Sequence, residues 1–236
     1  MFFAVDAGLR SYAQNRIASE IDAKLPAGVT GDVDVAIGGT SVIVQYLTGS
    51  FDRVELTAPA LSVNDVPASV SIVATGVPTD TSKPIAHVDG AIELDQAALN
   101  TLLQTALAEA DAAPAARDAE VELGTDEITY AGELSVFGLG IGYQATATPS
   151  VTADSFVITP TDARVTSGAG SLDVSGLIDL VLGDEPISLC MAGYLPQGVT
   201  LSGVETTPAR ARITLESSTL TLTEQSLTTL GTCSPA

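Results

Sequence analysis

Between Arg53 and Val63 polar and apolar positions alternate along the chain. Val54, Leu56 and Ala58 point to one side of an extended strand, and Arg53, Glu55 and Thr57 to the other. Just upstream, in SVIVQYL, the alternation fails. If this segment is a strand, Val42, Val44 and Tyr46 fill one face, while Ile43 and Leu47 lie on the opposite face with Gln45 between them. A sheet solvated on one side does not carry apolar residues on both. The pattern therefore predicts a second apolar face at 42–47 that something must cover: a helix, a partner copy or a bound apolar ligand.

Elsewhere the periodicities are clearer. A first helix is expected from about 6 to 25, where Leu9, Ala13, Ile17, Ile21 and Leu25 form one apolar ridge with Tyr12 beside it, and Pro26 and Gly28 end it. Short strands with turn residues between them then run to about residue 94, a meander punctuated at Gly38-Gly39, Thr48-Gly49 and Asn64-Asp65. A central helix is expected from about 95 to 111, with Asp95 as N-cap and Pro114 closing the segment. Its stripe of Leu99, Leu102, Leu103, Ala106 and Leu107 is nearly free of charge, so the helix should be almost engulfed by protein. Strands resume after residue 118, a short helix is expected in SGLIDLVLG with Ser175 as its cap, and two further strands precede a polar tail to Cys233. With no composition break to mark a linker, the expectation is one α+β domain spanning 1–236: a long, strongly curved antiparallel sheet wrapped around one or two amphipathic helices.

Composition narrows the function. Of 236 residues, 45% are hydrophobic and only 16% charged, while aromatics are 4% and Trp is absent. The apolar mass is thus aliphatic, with no ring platforms for sugars or bases. Nine basic residues against 29 acidic ones give a net charge of −20, which disfavours nucleic acid as a partner and broad adhesion to anionic membrane. No stretch is long and apolar enough to span a bilayer. The opening MFFAVDAG reads as the trailing edge of a removed signal or anchor, with a native start and a frayed tail as the alternative.

The sequence offers no candidate catalytic residue and no metal or cofactor site. His87, the one histidine, sits mid-strand with no nucleophile motif near it and reads as structural. Asp32 and Asp34 share a strand face but nothing completes a calcium loop. Paired carboxylates remain as an alternative acid/base system. Cys190 and Cys233 cannot make a structural zinc site with one histidine. They read as one disulfide in an oxidising compartment, or else as two free buried thiols.

The segments VDVAIGGTSVIVQYLTGSFDRVELTAPALSV, ASVSIVATGVPTD, VDGAIELDQAALNTLL and ISLCMAGYLPQGVTLSGVETTPARARITLESSTLTL cover over half the chain. In their order, their turn at Gly49 to Arg53-Val54 and LPQGV at 195–199, they resemble the LmeA-like phospholipid-binding family of actinobacterial envelope proteins. The resemblance implies a curved sheet around helices, akin to tubular lipid-binding proteins. It also implies a phospholipid ligand, phosphatidylinositol types among them, transient membrane contact, and a role outside the cytoplasm in maintaining envelope lipids or lipoglycans. It carries no catalytic signature, so a non-enzymatic carrier is expected. An envelope glycolipid-processing enzyme and a structural β-protein with an apolar dimer interface are the alternatives. On this reading Val42, Val44, Leu56, Leu102, Leu103 and Leu107 line an aliphatic cavity, and Arg53, Arg210 and Arg212 meet the head group near its rim.

Overall fold

The computed structural model describes residues 2–22, 28–109, 120–136, 139–167 and 186–233. The expected ends of the first helix at 23–26, the connector at 110–119 and the short helix at 175–183 lie outside these residues.

Antiparallel sheet dominates. After α1 (Phe2–Asp22), the chain forms β1 (Val29–Thr30), β2 (Asp34–Ile37), a short helix α2 (Val42–Thr48) and the long strands β3 (Ser50–Val63), β4 (Val66–Pro78) and β5 (His87–Asp95). The β3–β4 hairpin turns on Asn64 and Asp65, both at positive φ, the two-residue geometry that matches the twist of the strands. Then α3 (Gln96–Glu109) leaves β5 directly. A separate run follows: β6 (Glu120–Leu123), β7 (Ile128–Val136), β8 (Leu139–Val151), β9 (Ser155–Ser167) and β10 (Ile187–Cys190). Last come β11 (Thr200–Thr207), β12 (Arg210–Ser217) and α4 (Glu224–Thr228).

These strands make two sheets. Seven strands form the first, in the order β1-β3-β4-β5-β12-β11, with β2 also paired to β3. The second is the meander β10-β9-β8-β7-β6. In sequence the second sheet is inserted between β5 and the returning β11–β12 hairpin. The two meet along β11: the Asp126 amide donates to the Thr206 carbonyl (3.1 Å) and the Leu201 amide to the Ala153 carbonyl (3.0 Å). The Thr206 hydroxyl, 1% exposed, donates to the Glu127 carbonyl at 3.3 Å.

The expected strand at 42–47 is a helix. Ser41, in extended conformation, accepts the Val44 amide on its hydroxyl, and Gly49 ends the helix in the left-handed region, its amide reaching the Gln45 and Tyr46 carbonyls. A run of β-branched residues costs a helix only a few tenths of a kcal/mol per residue, whereas each good cap is worth about 1 kcal/mol. Capping and docking therefore outweigh propensity. The two apolar faces disappear with the strand: Val42 and Gln45 are buried, Ile43 is half-buried, and Val44, Tyr46 and Leu47 are exposed.

Nor is α3 engulfed along its described length. Ala98 is fully buried, but Leu102 is 41% exposed. Asp95 caps the helix through the Ala98 amide at 2.7 Å, as expected. Gln96 and Asn100 then fasten it to the free edge of β6: the Leu123 amide donates to Gln96 Oε1 and the Val121 amide to Asn100 Oδ1, both at 2.8 Å, while Gln96 Nε2 reaches the Val121 carbonyl. The helix edge-covers a strand that would otherwise present unpaired backbone. A compact core of Ala74, Val77, Ile85, Val88 and Leu220 closes one end of the first sheet. Beyond it the tail crosses back over 195–197 and is fixed by a disulfide between Cys190 and Cys233, Cα atoms 5.9 Å apart.

Candidate functional site

The register of the first sheet sorts its side chains into two unlike faces. One row of partners reads Val204, Ile213, Ile92, Val70 and Ala58; the next reads Leu201, Leu215, Gly90, Ile72, Leu56 and Val35. A third carries Val88, Ala74, Val54 and Ile37. The intervening rows, which alternate to the opposite face, hold Arg212, Glu93 and Ser69, then Thr214, Ala91, Ser71 and Thr57, then Glu216, Asp89, Val73 and Glu55. One face is aliphatic across its width; the other is mostly polar.

A sheet of this width normally buries its aliphatic centre. Here the small residues Ala58, Ala74 and Ala211 are buried, and the terminal core covers Val88. The large central side chains of Leu56, Val70, Ile72, Ile92, Ile213 and Leu215 are only half-buried. α3 contacts β4 and β5, yet these six side chains keep part of their surface open. Five paired strands spaced about 4.8 Å apart give an aliphatic track about 19 Å long.

The expected site residues are distributed unevenly over this arrangement. Leu56 belongs to the aliphatic track. Val42 is buried on the inner side of α2, and Val44 is 50% exposed on its outer side. Leu102 stands exposed on α3, and the side chains of Leu103 and Leu107 lie outside the described residues. Arg53, Arg210 and Arg212 project from the polar face, opposite Leu56, because each alternates with an aliphatic neighbour in its strand. All three meet carboxylates: Arg53 pairs with Glu55, while Glu93 receives Arg210 at 2.8 Å and Arg212 at 2.5 Å. Burial pushes the Glu93 carboxyl up, but hydrogen bonds and charge from the two guanidinium groups outweigh this and hold it below its usual range.

Sequence patterning found the strands that carry Val70, Ile72, Ile92, Ile213 and Leu215 but not that their rows align. The alternation in ASVSIVATGV and ARARITLESS was the available signal; the register that joins them depends on β12 pairing with β5 across more than a hundred residues.

The second sheet repeats the two-faced pattern, with Ile128, Tyr130, Tyr143, Ala145 and Ala147 on one side by register. Tyr143 is buried with its ring 5.8 Å from that of Tyr130, and burial, reinforced by the Tyr130 hydroxyl, pushes its phenol well above the usual range. His87 is exposed on the polar face of the first sheet, 3.1 Å from Asp89. Among the described residues no cluster of three metal-ligating side chains occurs, and no helix is long and apolar enough to cross a membrane.

The family model described as LmeA-like phospholipid-binding matches residues 4–216, nearly the whole chain. No curated protein and no solved structure matches it.

Proposed function

Since the chain belongs to the LmeA-like phospholipid-binding family, we propose that it binds phospholipid by laying acyl chains on the aliphatic face of its seven-stranded sheet, and that it carries lipid without chemically altering it. One observation carries this reading: the six largest aliphatic side chains at the centre of that face are half-buried in a sheet whose other face is already polar. An acyl chain supplies the missing cover. Burying a CH₂ group is worth about 0.8 kcal/mol against water, so a palmitoyl tail gains about 12 kcal/mol over its exposed state. Relative to a bilayer nearly all of that cancels, because the tail leaves one apolar medium for another. The protein thus lowers the barrier to crossing water, which suits exchange or presentation of lipids.

The ligands in this reading are phospholipids, phosphatidylinositol types among them, taken up during transient membrane contact outside the cytoplasm in support of envelope lipid or lipoglycan maintenance. The Cys190–Cys233 disulfide supports an oxidising compartment. The net charge of −20 keeps contact with an anionic surface brief. The head-group role expected for Arg53, Arg210 and Arg212 sits less well with an acyl chain on the opposite face, and we place the head group in water at the end of the track. The test is organic extraction of purified protein followed by mass spectrometry, together with uptake from phosphatidylcholine vesicles. Stoichiometric phospholipid is expected. A protein that is lipid-free, takes up none and dimerises tightly would instead cover this face with a second copy.

A further inference from the structure

A glycine inside a strand loses side-chain packing, and it persists where the strand bends or where another group comes close to the backbone. Three strand glycines here have a protein group in the space a side chain would take. A Cβ on Gly76 would lie 2.7 Å from Ala86 Cβ, one on Gly132 would lie 2.7 Å from the Tyr143 hydroxyl, and one on Gly203 would lie 2.8 Å from the Thr214 hydroxyl. Gly90 differs. A Cβ there would meet Leu215 Cβ at 3.4 Å, Leu215 Cδ1 at 3.6 Å and Ile72 Cγ1 at 4.0 Å, all ordinary contacts and all from its two row neighbours. No atom of α3 comes as near. Gly90 therefore leaves a notch in the middle of the aliphatic track, walled by Ile72 on one side and Leu215 on the other, where a Cβ would fit without a clash. At the far end of the same row Leu201 is buried where the second sheet joins, which closes the track on that side.

We propose that Gly90 is a specificity-determining position for acyl-chain length: one chain crosses the sheet through the notch between Ile72 and Leu215, and a side chain at position 90 would shorten the path. This rests on the phospholipid-binding reading and locates the tail within it. A larger residue costs the empty protein little, since strand positions favour branched and large side chains over glycine. It costs a long chain much more, because the bound tail must then detour or leave part of its length in water.

The experiment compares wild type, Gly90→Ala, Gly90→Val and Gly90→Leu, each incubated with vesicles of dipalmitoyl- or didecanoyl-phosphatidylcholine, re-isolated and assayed for bound lipid. Thr57→Leu, exposed on the polar face, is the control. The expected result is wild-type uptake of both lipids by Gly90→Ala and Thr57→Leu. Gly90→Leu should lose about tenfold in dipalmitoyl uptake while retaining the short-chain lipid, with Gly90→Val between them. An unchanged ratio of long to short lipid in Gly90→Leu and Gly90→Val overturns the proposal. So does an equal loss of both lipids accompanied by a lower melting temperature, although phospholipid binding by wild type would then stand. Wild type that takes up neither lipid overturns both.

Discussion

At Asp6 a single carboxylate holds two helices together. It is buried on α1, and its Oδ1 accepts the Ser41 hydroxyl at 2.7 Å and the Ile43 amide at 3.1 Å. Arg10, one turn on, donates to the carbonyls of Ile37, Gly39 and Thr40. The hydrogen bond from Ser41, then that from Ile43, with help from the Val42 amide and the Arg10 charge, outweigh burial and hold the Asp6 carboxyl below its ordinary value. A carboxyl lowered on folding stabilises the fold fully above its unfolded pKa, near 3.9, and loses that contribution as pH falls through its native value. Wild type should therefore exceed Asp6→Ala in melting temperature at neutral pH, and the gap should narrow as pH falls from about 4 toward 2. A gap independent of pH would show that the charge of Asp6 is not what clamps α1. Little of this was legible in the sequence. Nothing in the local pattern of α1 marks Asp6 or Arg10, because their partners, the Ser41 hydroxyl and backbone groups between Ile37 and Ile43, lie nearly thirty residues away or more. The ridge itself is also less packed than its spacing implies, with Leu9, Tyr12 and Ile17 exposed.

The elements show why local pattern succeeds in one place and fails in another. β3, β4 and β5 alternate with period two because one face must be polar and the other aliphatic, and that requirement is written at every second residue. α3 was legible through Asp95 and its leucines. α2 was not, because Val42, Ile43 and Val44 imitate a strand while the decisive signals, Ser41 before them and Gly49 after them, are single residues. The docking of α3 was also hidden, since it uses Gln96 and Asn100 as substitutes for a neighbouring strand. That substitution predicts a definite cost. Gln96→Leu leaves the Leu123 amide and the Val121 carbonyl of β6 without their partner, and buried backbone groups left unmatched cost about 1–3 kcal/mol each. Leu123 is buried and has little access to replacement water. Urea denaturation should show a loss in this range, with faster hydrogen exchange at the Leu123 amide. If that amide stays protected, β6 holds its edge without the helix.

On the scale of the whole molecule, the two sheets join along β11, and among the described residues the hydrogen bonds there are mostly backbone to backbone. Asp126 to Thr206 and Leu201 to Ala153 leave no trace in residue type, so the sequence could suggest many strands without dividing them between sheets. The cysteines did leave a trace, and their pairing ties this junction from the other side. Cys190 ends β10, the edge strand of the second sheet, while Cys233 ends a tail that crosses the first sheet's core at Leu220 and is hydrogen-bonded to the 195–197 segment at Thr229 and Gly231. The bond thus joins the second sheet to a segment anchored on the first. With the cysteines 43 positions apart, the chain-entropy model gives about 4 kcal/mol for closing the loop, an upper value because the tail is already held by hydrogen bonds. Cys190→Ser/Cys233→Ser should lose stability up to that amount. The loss should be uneven: the amides of Gln197, Thr229 and Gly231 should exchange first, and those of β4 and β5 beneath the aliphatic track should keep their protection. Phospholipid uptake should survive, since the strand pairing that carries the track runs through β3, β4, β5 and β12 and not through the tail. Equal loss of protection in β4 and β5 would mean that the two sheets unfold as one unit, and that the disulfide stabilises the lipid-binding face as much as the tail.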